Sequence, residues 1–408
     1  MRNRCLRFSF LVLLLILVVG CSRKPDATSC DGQTMEFRYA TLLTIEQHEG
    51  YTLASIRDPW EADRILHRYV LSDGKATTDD VKNRINRLTD EGYTLLHTPL
   101  ERVAVFTSSH AQLIVWLGKL ENISAVCDLR YMNIPEIRQR VAQGDIADCG
   151  DSMMPDVERL TMSRPDAVFL SPFAGSGGYG QLEQTGIPII RCADYMEPTP
   201  LARAEWMRFY ALLLGEEAIA DSLFQRVESE YHRLTAEAAA MGTGRTLLTE
   251  RKTGSVWYVP GGESWAGRLI KDAAAGHPFA GDTHSGSLPL SPEQILSQCD
   301  RIDAWAVKTN GREPLTRATL LAEYDGYKML RAMKEGNVYE CNTIAQPFFE
   351  QTAFRPDWLL RDYMIIAHPT ECRDSVLRYY RRLEPAVTAW RPKAEREGNK
   401  QTTPSGQE

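Results

Sequence analysis

The 408-residue sequence has no C-x-x-C pair, no H-E-x-x-H and no G-x-S-x-G, and past residue 20 no apolar run approaches spanning length. Each absence removes a class. Without close cysteine pairs, zinc ribbons and thioredoxin-like centres are excluded. Without the zinc-helix and nucleophile-elbow patterns, the common hydrolase constellations are missing. The eight histidines are scattered, so no converging set of histidines and carboxylates is available to bind a bare metal ion. No run of Lys or Arg occurs and the formal charge is −7, which argues against nucleic acid and anionic lipid as partners. The nine cysteines are dispersed and read mostly as small buried hydrophobes.

What is present begins with a leader. Arg2, Arg4 and Arg7 precede an apolar run from Phe8 to Val19, too short to span and of the length of a secretory h-region. The run ends in "LVVGC", which resembles the bacterial lipobox and implies lipidation of Cys21. A signal anchor that contains a cysteine is the alternative. Residues 1–20 are thus expected to be a signal peptide and 21–34 a lipidated tether. The protein would be exported and held at the membrane by lipid, facing the periplasm or cell exterior. Loss of the three arginines takes the formal charge from −7 to −10. Roughly 390 mature residues exceed one core and predict two lobes.

The pattern along the chain is α/β. "MEFRYATLLTIEQHEGYTLASIRD" alternates around His48-Glu49-Gly50 and predicts an N-terminal hairpin extension. From Arg102, the short runs "RVAVF", "ISAVC", "DAVFL" and "IPIIRC" alternate with helical segments, the signature of a mainly parallel sheet. This first lobe covers 35–196. Residues 197–242 are rich in Ala, Leu, Glu and Arg and predict helix, with a rigid strut from Glu216 to Met241. The α/β pattern resumes over 243–390 with "RTLLTE", "SVWYV", "AWAVK" and "NVYECN"; residues 391–408 read as a disordered tail.

In open parallel sheets a ligand sits beyond the carboxyl ends of the strands, here between the lobes. Loops at those ends carry His110, Arg130, Tyr131, Phe173, Tyr179 and Tyr195 in the first lobe. The second lobe supplies Arg251, Tyr258, Trp265 and Lys308. Aromatic faces suit a large flat or greasy chelate, and the cations suit its carboxylates or catecholates. His110 could coordinate a haem or corrinoid metal, or could serve a helix end or loop as a hydrogen-bonding group. "GSGGYG" lacks a dinucleotide fingerprint and reads as a lip whose backbone can approach a ligand.

Taken together, "ERVAVFTSSHAQLIVWLG", "DVERLTMSRPDAVFLS", "GIPII", "LLLGEEAIADSL", "LSPEQIL" and "EGNVYECN" resemble the substrate-binding lipoproteins of ABC importers for iron–siderophores, haem and cobalamin. The resemblance implies two α/β lobes on one rigid helix, a monomer, no catalysis and no resident cofactor or metal. It also implies a docking glutamate at the tip of each lobe, Glu158 and Glu293, for arginines on the importer's membrane subunits. The helix macrodipole also favours a glutamate in the first turn, by about 0.3–1 kcal/mol wherever it occurs. An iron complex is the first expected cargo, a corrinoid the second and haem the third. Cobalamin receptors of this family carry tryptophan six residues before each docking glutamate, where this chain has Ser152 and Ser287. An exported hydrolase and a ligand-sequestering lipoprotein without an importer are the competing classes.

Overall fold

The computed structural model describes residues 32–75, 78–174 and 178–384. The leader, Cys21, the tether to residue 31, Gly175 to Gly177 and the C-terminal tail lie outside the described residues. Among the described residues no helix is long and apolar enough to cross a membrane.

The N-terminal hairpin is part of something larger. Leu43–His48 and Tyr51–Arg57 pair antiparallel around Glu49-Gly50, and Gly50 supplies the positive φ that the turn needs. Gln33–Thr34, Ile65–Ser72 and Thr94–His97 extend the pair to a five-stranded sheet, whose last two strands run parallel. Tyr69, in Ile65–Ser72, reaches out of this sheet. Its hydroxyl donates to Ile189 O and accepts from Arg191 N, both at 2.9 Å. One phenol thereby satisfies an edge strand of the next sheet, a row of groups otherwise open to foreign pairing.

That next sheet is parallel throughout, in the order Ile189–Arg191, Ala167–Leu170, Val103–Val105, Ile123–Val126, Ala147–Asp148. Its strands are buried on both faces. Val103 and Val105 join the main core, whereas Ala104 and Phe106 point into a second cluster with Cys127, Cys149, Leu160 and Leu182. Burial on both faces explains why these strands read as unbroken apolar runs.

The second lobe is built on Leu247–Thr249, Ala304–Thr309 and Val338–Asn342, all parallel, with Arg381–Arg382 antiparallel at the edge. "SVWYV" departs from the expected pattern. Val256–Pro260 lies in a separate antiparallel sheet between Lys252–Thr253 and Ser287–Leu290. Its Trp257 and Val259 are buried while Tyr258 faces out, and one wet face is what antiparallel sheets permit.

Three helices join the lobes: Pro200–Glu205, Met207–Leu214 and Glu217–Met241. The break before the last falls at Gly215, in the left-handed region. The 25-residue strut is about 37 Å long at 1.5 Å per residue. It packs along Met207–Leu214 and along Pro356–Ala367 of the second lobe. One hydrophobic core runs without interruption from Leu43 through Phe209 and Tyr231 to Tyr380, so the lobes are not independent balls on a string. They also touch directly. Asn133 N–H donates to Glu350 Oε1 at 2.7 Å, and Trp116 meets Trp358 edge to face at 5.9 Å.

Residues 38–42 are held by two buried carboxylates from this helical segment. Glu205 accepts the backbone N–H groups of Arg38, Tyr39 and Ala40 at 2.8–2.9 Å. Glu197 accepts those of Thr41 and Leu42, together with the Thr41 hydroxyl and the Trp206 indole N–H. A carboxylate with this many donors is well compensated, but removing acceptor capacity strands buried amides. Glu205→Gln, which turns one acceptor into a donor facing those amides, is expected to destabilise the fold by about 2–4 kcal/mol. The check is the urea unfolding midpoint at constant slope; an unmoved midpoint would show that the clamp carries no stability.

Candidate functional site

A cavity of about 620 Å³ opens at the carboxyl ends of the central strands of the first lobe. Val103–Val105 ends in Phe106 and Thr107, and Ala167–Leu170 ends in Leu170, Ser171 and Phe173; all five line it. A small hairpin, Gly150–Asp151 paired with Met154–Pro155, forms one lip through Ser152, Met153 and Met154. Tyr179 to Leu182 close the opposite side. The lip is conspicuously apolar for exposed surface: Met153, Met154 and Phe173 are 67%, 83% and 45% exposed. Among the described residues, no Asp, Glu, Lys, Arg or His lines the cavity.

Of the residues expected to bind ligand, Phe173 and Tyr179 therefore meet in one place. Tyr179 has a buried hydroxyl without a partner among the described residues, and the Arg191 guanidinium lies 5.4 Å from its ring centre. Burial pushes this phenol up and Arg191 works against it. Arg130 and Tyr131 sit beside the lip hairpin rather than in the cavity. Arg130 stacks on Tyr131 at 4.7 Å and pairs with Asp151 at 3.0 Å. Tyr195 braces the wall from behind, its hydroxyl donating to Pro172 O.

The second-lobe residues do not line this cavity. Arg251 pairs with Glu323, and Lys308 pairs with Glu250 while lying 5.2 Å from the Phe348 ring centre. Trp265 packs against the main core beneath the Arg203 guanidinium. Tyr258 is half exposed on the antiparallel sheet. Each of Arg130, Arg251 and Lys308 pairs with a carboxylate of its own lobe.

Of the two roles expected for His110, its contacts match hydrogen bonding and not metal coordination. It is 2% exposed, and neither ring nitrogen is available to a metal. Nδ1 meets the Thr107 hydroxyl, and Nε2 lies 2.8 Å from Asp194 Oδ1 and 3.2 Å from the Tyr210 hydroxyl. Asp194 is equally buried and is also bonded by Arg203 and Tyr210. Burial alone would lower the imidazole pKa. Cys192 and the Asp194 carboxylate outweigh it and raise His110 to about 10. Thr107, His110 and Asp194 superficially resemble a hydrolytic triad. Its neighbours favour the protonated imidazole, which works against its taking a proton from the hydroxyl.

Glu158 and Glu293 are both exposed in the first turns of short helices, Val157–Met162 and Pro292–Leu296. Asp156 caps the first helix and a Ser291–Gln294 capping box caps the second. The Glu293 carboxylate is held below its ordinary range by its own backbone N–H and the Ser291 hydroxyl. An open groove of about 660 Å³ beside Glu158 is flanked by Val157 and the exposed Met162.

Sequence reasoning passed over Phe106, Met153 and Met154. The signal for the methionines was there: an Asp-Ser-Met-Met-Pro stretch puts two large apolar residues in a turn, where they have no core to enter.

Residues 103–345 match the family described as periplasmic binding protein. Two uncharacterised lipoproteins of Methanocaldococcus jannaschii are similar in sequence. One is 22% identical over 311 residues, 72% of this chain and 72% of that protein. The other is 21% identical over 416 residues, 94% of this chain and 100% of that protein. Among solved structures, a periplasmic haem-binding protein from Pseudomonas aeruginosa aligns with TM-score 0.53 at 18% identity, covering 66% of this chain and 94% of that one. An ABC-type Fe3+-hydroxamate transport system structure from Saccharomonospora viridis aligns with TM-score 0.51 at 17% identity, covering 66% and 93%. These two likenesses show a shared fold.

The raised pKa of His110 has a measurable consequence. A group raised from 6.5 to about 10 on folding contributes stability that is complete below pH 6.5 and is lost as pH rises toward 10. Unfolding free energy measured from pH 6.5 to 10 should fall more steeply in the wild type than in His110→Gln. Parallel curves would mean that His110 is neutral.

Proposed function

The chain belongs to the periplasmic binding protein family, and on that premise we propose that it receives a metal chelate in the first-lobe cavity and delivers it to an ABC importer. The observation that carries this reading is the cavity itself. Its size lies within the ~300–1,000 Å³ range of small-molecule sites, it opens at the carboxyl ends of parallel strands, and among the described residues it offers apolar, hydroxyl and amide groups without fixed charge. Such a lining favours a chelate that already neutralises its own metal. An iron complex of low net charge, of the ferric hydroxamate type, fits better than the citrate or catecholate anions for which Arg130, Arg251 and Lys308 would have been needed. A flat macrocycle, haem or a corrinoid, is the second reading. The exposed Met153, Met154 and Phe173 and the Tyr179 ring favour it, because together they offer broad soft surface to a planar face.

Delivery rests on Glu158 and Glu293, in equivalent first-turn positions of a helix in each lobe, which would meet cationic sites on the importer's membrane subunits. Lipidation at Cys21 would keep the protein near them, in line with the naming of its relatives as lipoproteins.

Two experiments test the reading. Titration of purified protein with ferric trihydroxamate, ferric citrate, haem and cyanocobalamin, followed by protein fluorescence, should show a strong preference for the hydroxamate over the citrate. Phe173→Ala should weaken binding by about tenfold, the equivalent of ~1.4 kcal/mol. A preference for citrate, or no binding of any chelate, would overturn the ligand assignment. For docking, the Glu158→Ala/Glu293→Ala double variant should lose uptake in cells while keeping its chelate affinity; a loss of affinity would contradict the role.

A further inference from the structure

The buried chain behind the cavity wall has a polarity that geometry constrains. Asp194 accepts from the Tyr210 hydroxyl at 2.8 Å and from Arg203 Nε at 3.2 Å, so it is an acceptor-only carboxylate. His110 Nε2, at 2.8 Å from the same carboxylate, must then carry a proton. Everything turns on Nδ1, whose partner is the Thr107 hydroxyl. If Nδ1 is bare, Thr107 spends its proton on the ring and turns lone pairs to the cavity. If Nδ1 is protonated, the ring donates to Thr107 Oγ1 and the hydroxyl proton is free.

The second arrangement explains more. Thr107 occupies the N-cap position of Ser108–Trp116 yet makes no capping bond, because its oxygen is engaged by His110 instead. Ser152, another hydroxyl of the cavity, already donates to Asp128. With His110 as imidazolium, Asp194, Arg203 and His110 sum to one positive charge, set behind a cavity that has no charged lining. Cys192 and the rings of Phe169, Tyr210 and Phe354 are the other groups around the imidazole; Cys192 favours its charged form and the rings carry no charge.

We propose that Thr107 is the specificity-determining donor of the cavity, oriented by His110 to give its proton to an anionic oxygen, carboxylate or hydroxamate, at the edge of the bound chelate. The raised pKa of His110 agrees with this orientation. The proposal rests on the cavity being the chelate site, and it names the chemistry that the chelate presents there.

Two measurements test it separately from that reading. In ligand-free, nitrogen-15-histidine-labelled protein at pH 7.5, both ring nitrogens of His110 should be protonated, the residue being assigned through its contact with the Tyr210 ring. A bare Nδ1 overturns the proposal whatever the ligand is. The second measurement uses two iron porphyrins with similar rings, haem with its two propionates and iron octaethylporphyrin with none. Wild type should prefer haem by about tenfold, the size of one charge-assisted hydrogen bond. Thr107→Ser should keep the preference and Thr107→Val should erase it; a Thr107→Val variant that still prefers haem overturns the proposal. If neither porphyrin binds, the same variants are compared with ferric trihydroxamate, where only Thr107→Val should lose affinity. Failure of every chelate would sink the functional reading, while the nitrogen spectrum would still decide the orientation of the hydroxyl.

Discussion

Two carboxylates, Glu197 and Glu205, set in a helical segment and removed from water, hold five consecutive backbone amides of residues 38–42. This clamp fixes where the N-terminal sheet lies, and much of the first lobe depends on that placement. Arg38 and Tyr39 add side-chain bonds to Glu228 on the long strut, so the clamp also ties the sheet to the element that joins the lobes. From the sheet, Tyr69 reaches the edge strand Ile189–Arg191 and satisfies its open edge as both donor and acceptor. The residues that follow that strand include Asp194, which holds His110, which in turn holds Thr107 at the cavity. A chain of hydrogen bonds thus runs from the N-terminal segment to the binding wall. Most links are at least partly buried, where a lost partner is expensive and a kept one is rigid.

The same economy of charge shapes the site. The chain has 47 Lys and Arg residues, yet those expected in the cleft are neutralised inside their own lobes before any ligand arrives. What remains facing the cavity is apolar surface, a few hydroxyls and the Gln181 amide, with the Asp194, His110 and Arg203 cluster behind the wall. A charge placed there acts through a hydroxyl that it orients, and it does not have to be desolvated by each incoming ligand. That is a more selective arrangement than a ring of mobile surface arginines, which would accept many anions.

Legibility followed burial pattern. "RVAVF", "DAVFL" and "IPIIR" read as strands of a parallel sheet because both faces are covered and no polar residue interrupts them. "SVWYV" was misplaced because a short β-branched and aromatic run has the same look in either sheet type, and only the exposure of Tyr258 tells them apart. The two-strand hairpin was visible from Gly50, whereas its growth to five strands was not, since Thr94–His97 pairs with Ile65–Ser72 across an intervening helix. Among the expected site residues, Phe173 and Tyr179 line the cavity, as their place after a strand suggests. His110 stands out in the sequence for its position, but nothing local announces a partner 84 residues away at Asp194.

The sequence by itself determined the class of the molecule. Periodicity, helix starts and a 25-residue strut specify two α/β halves, and local capping chemistry specifies where Glu158 and Glu293 begin their helices. These are short-range matters, decided by neighbours three or four residues apart. Which side chains face the cavity, which cations stay free and which histidine carries a charge were decided only by the tertiary structure. Each depends on bringing distant residues within about 3 Å in a medium that water has left, and there the strength of a charge or a hydrogen bond is set by its surroundings, not by its place in the chain.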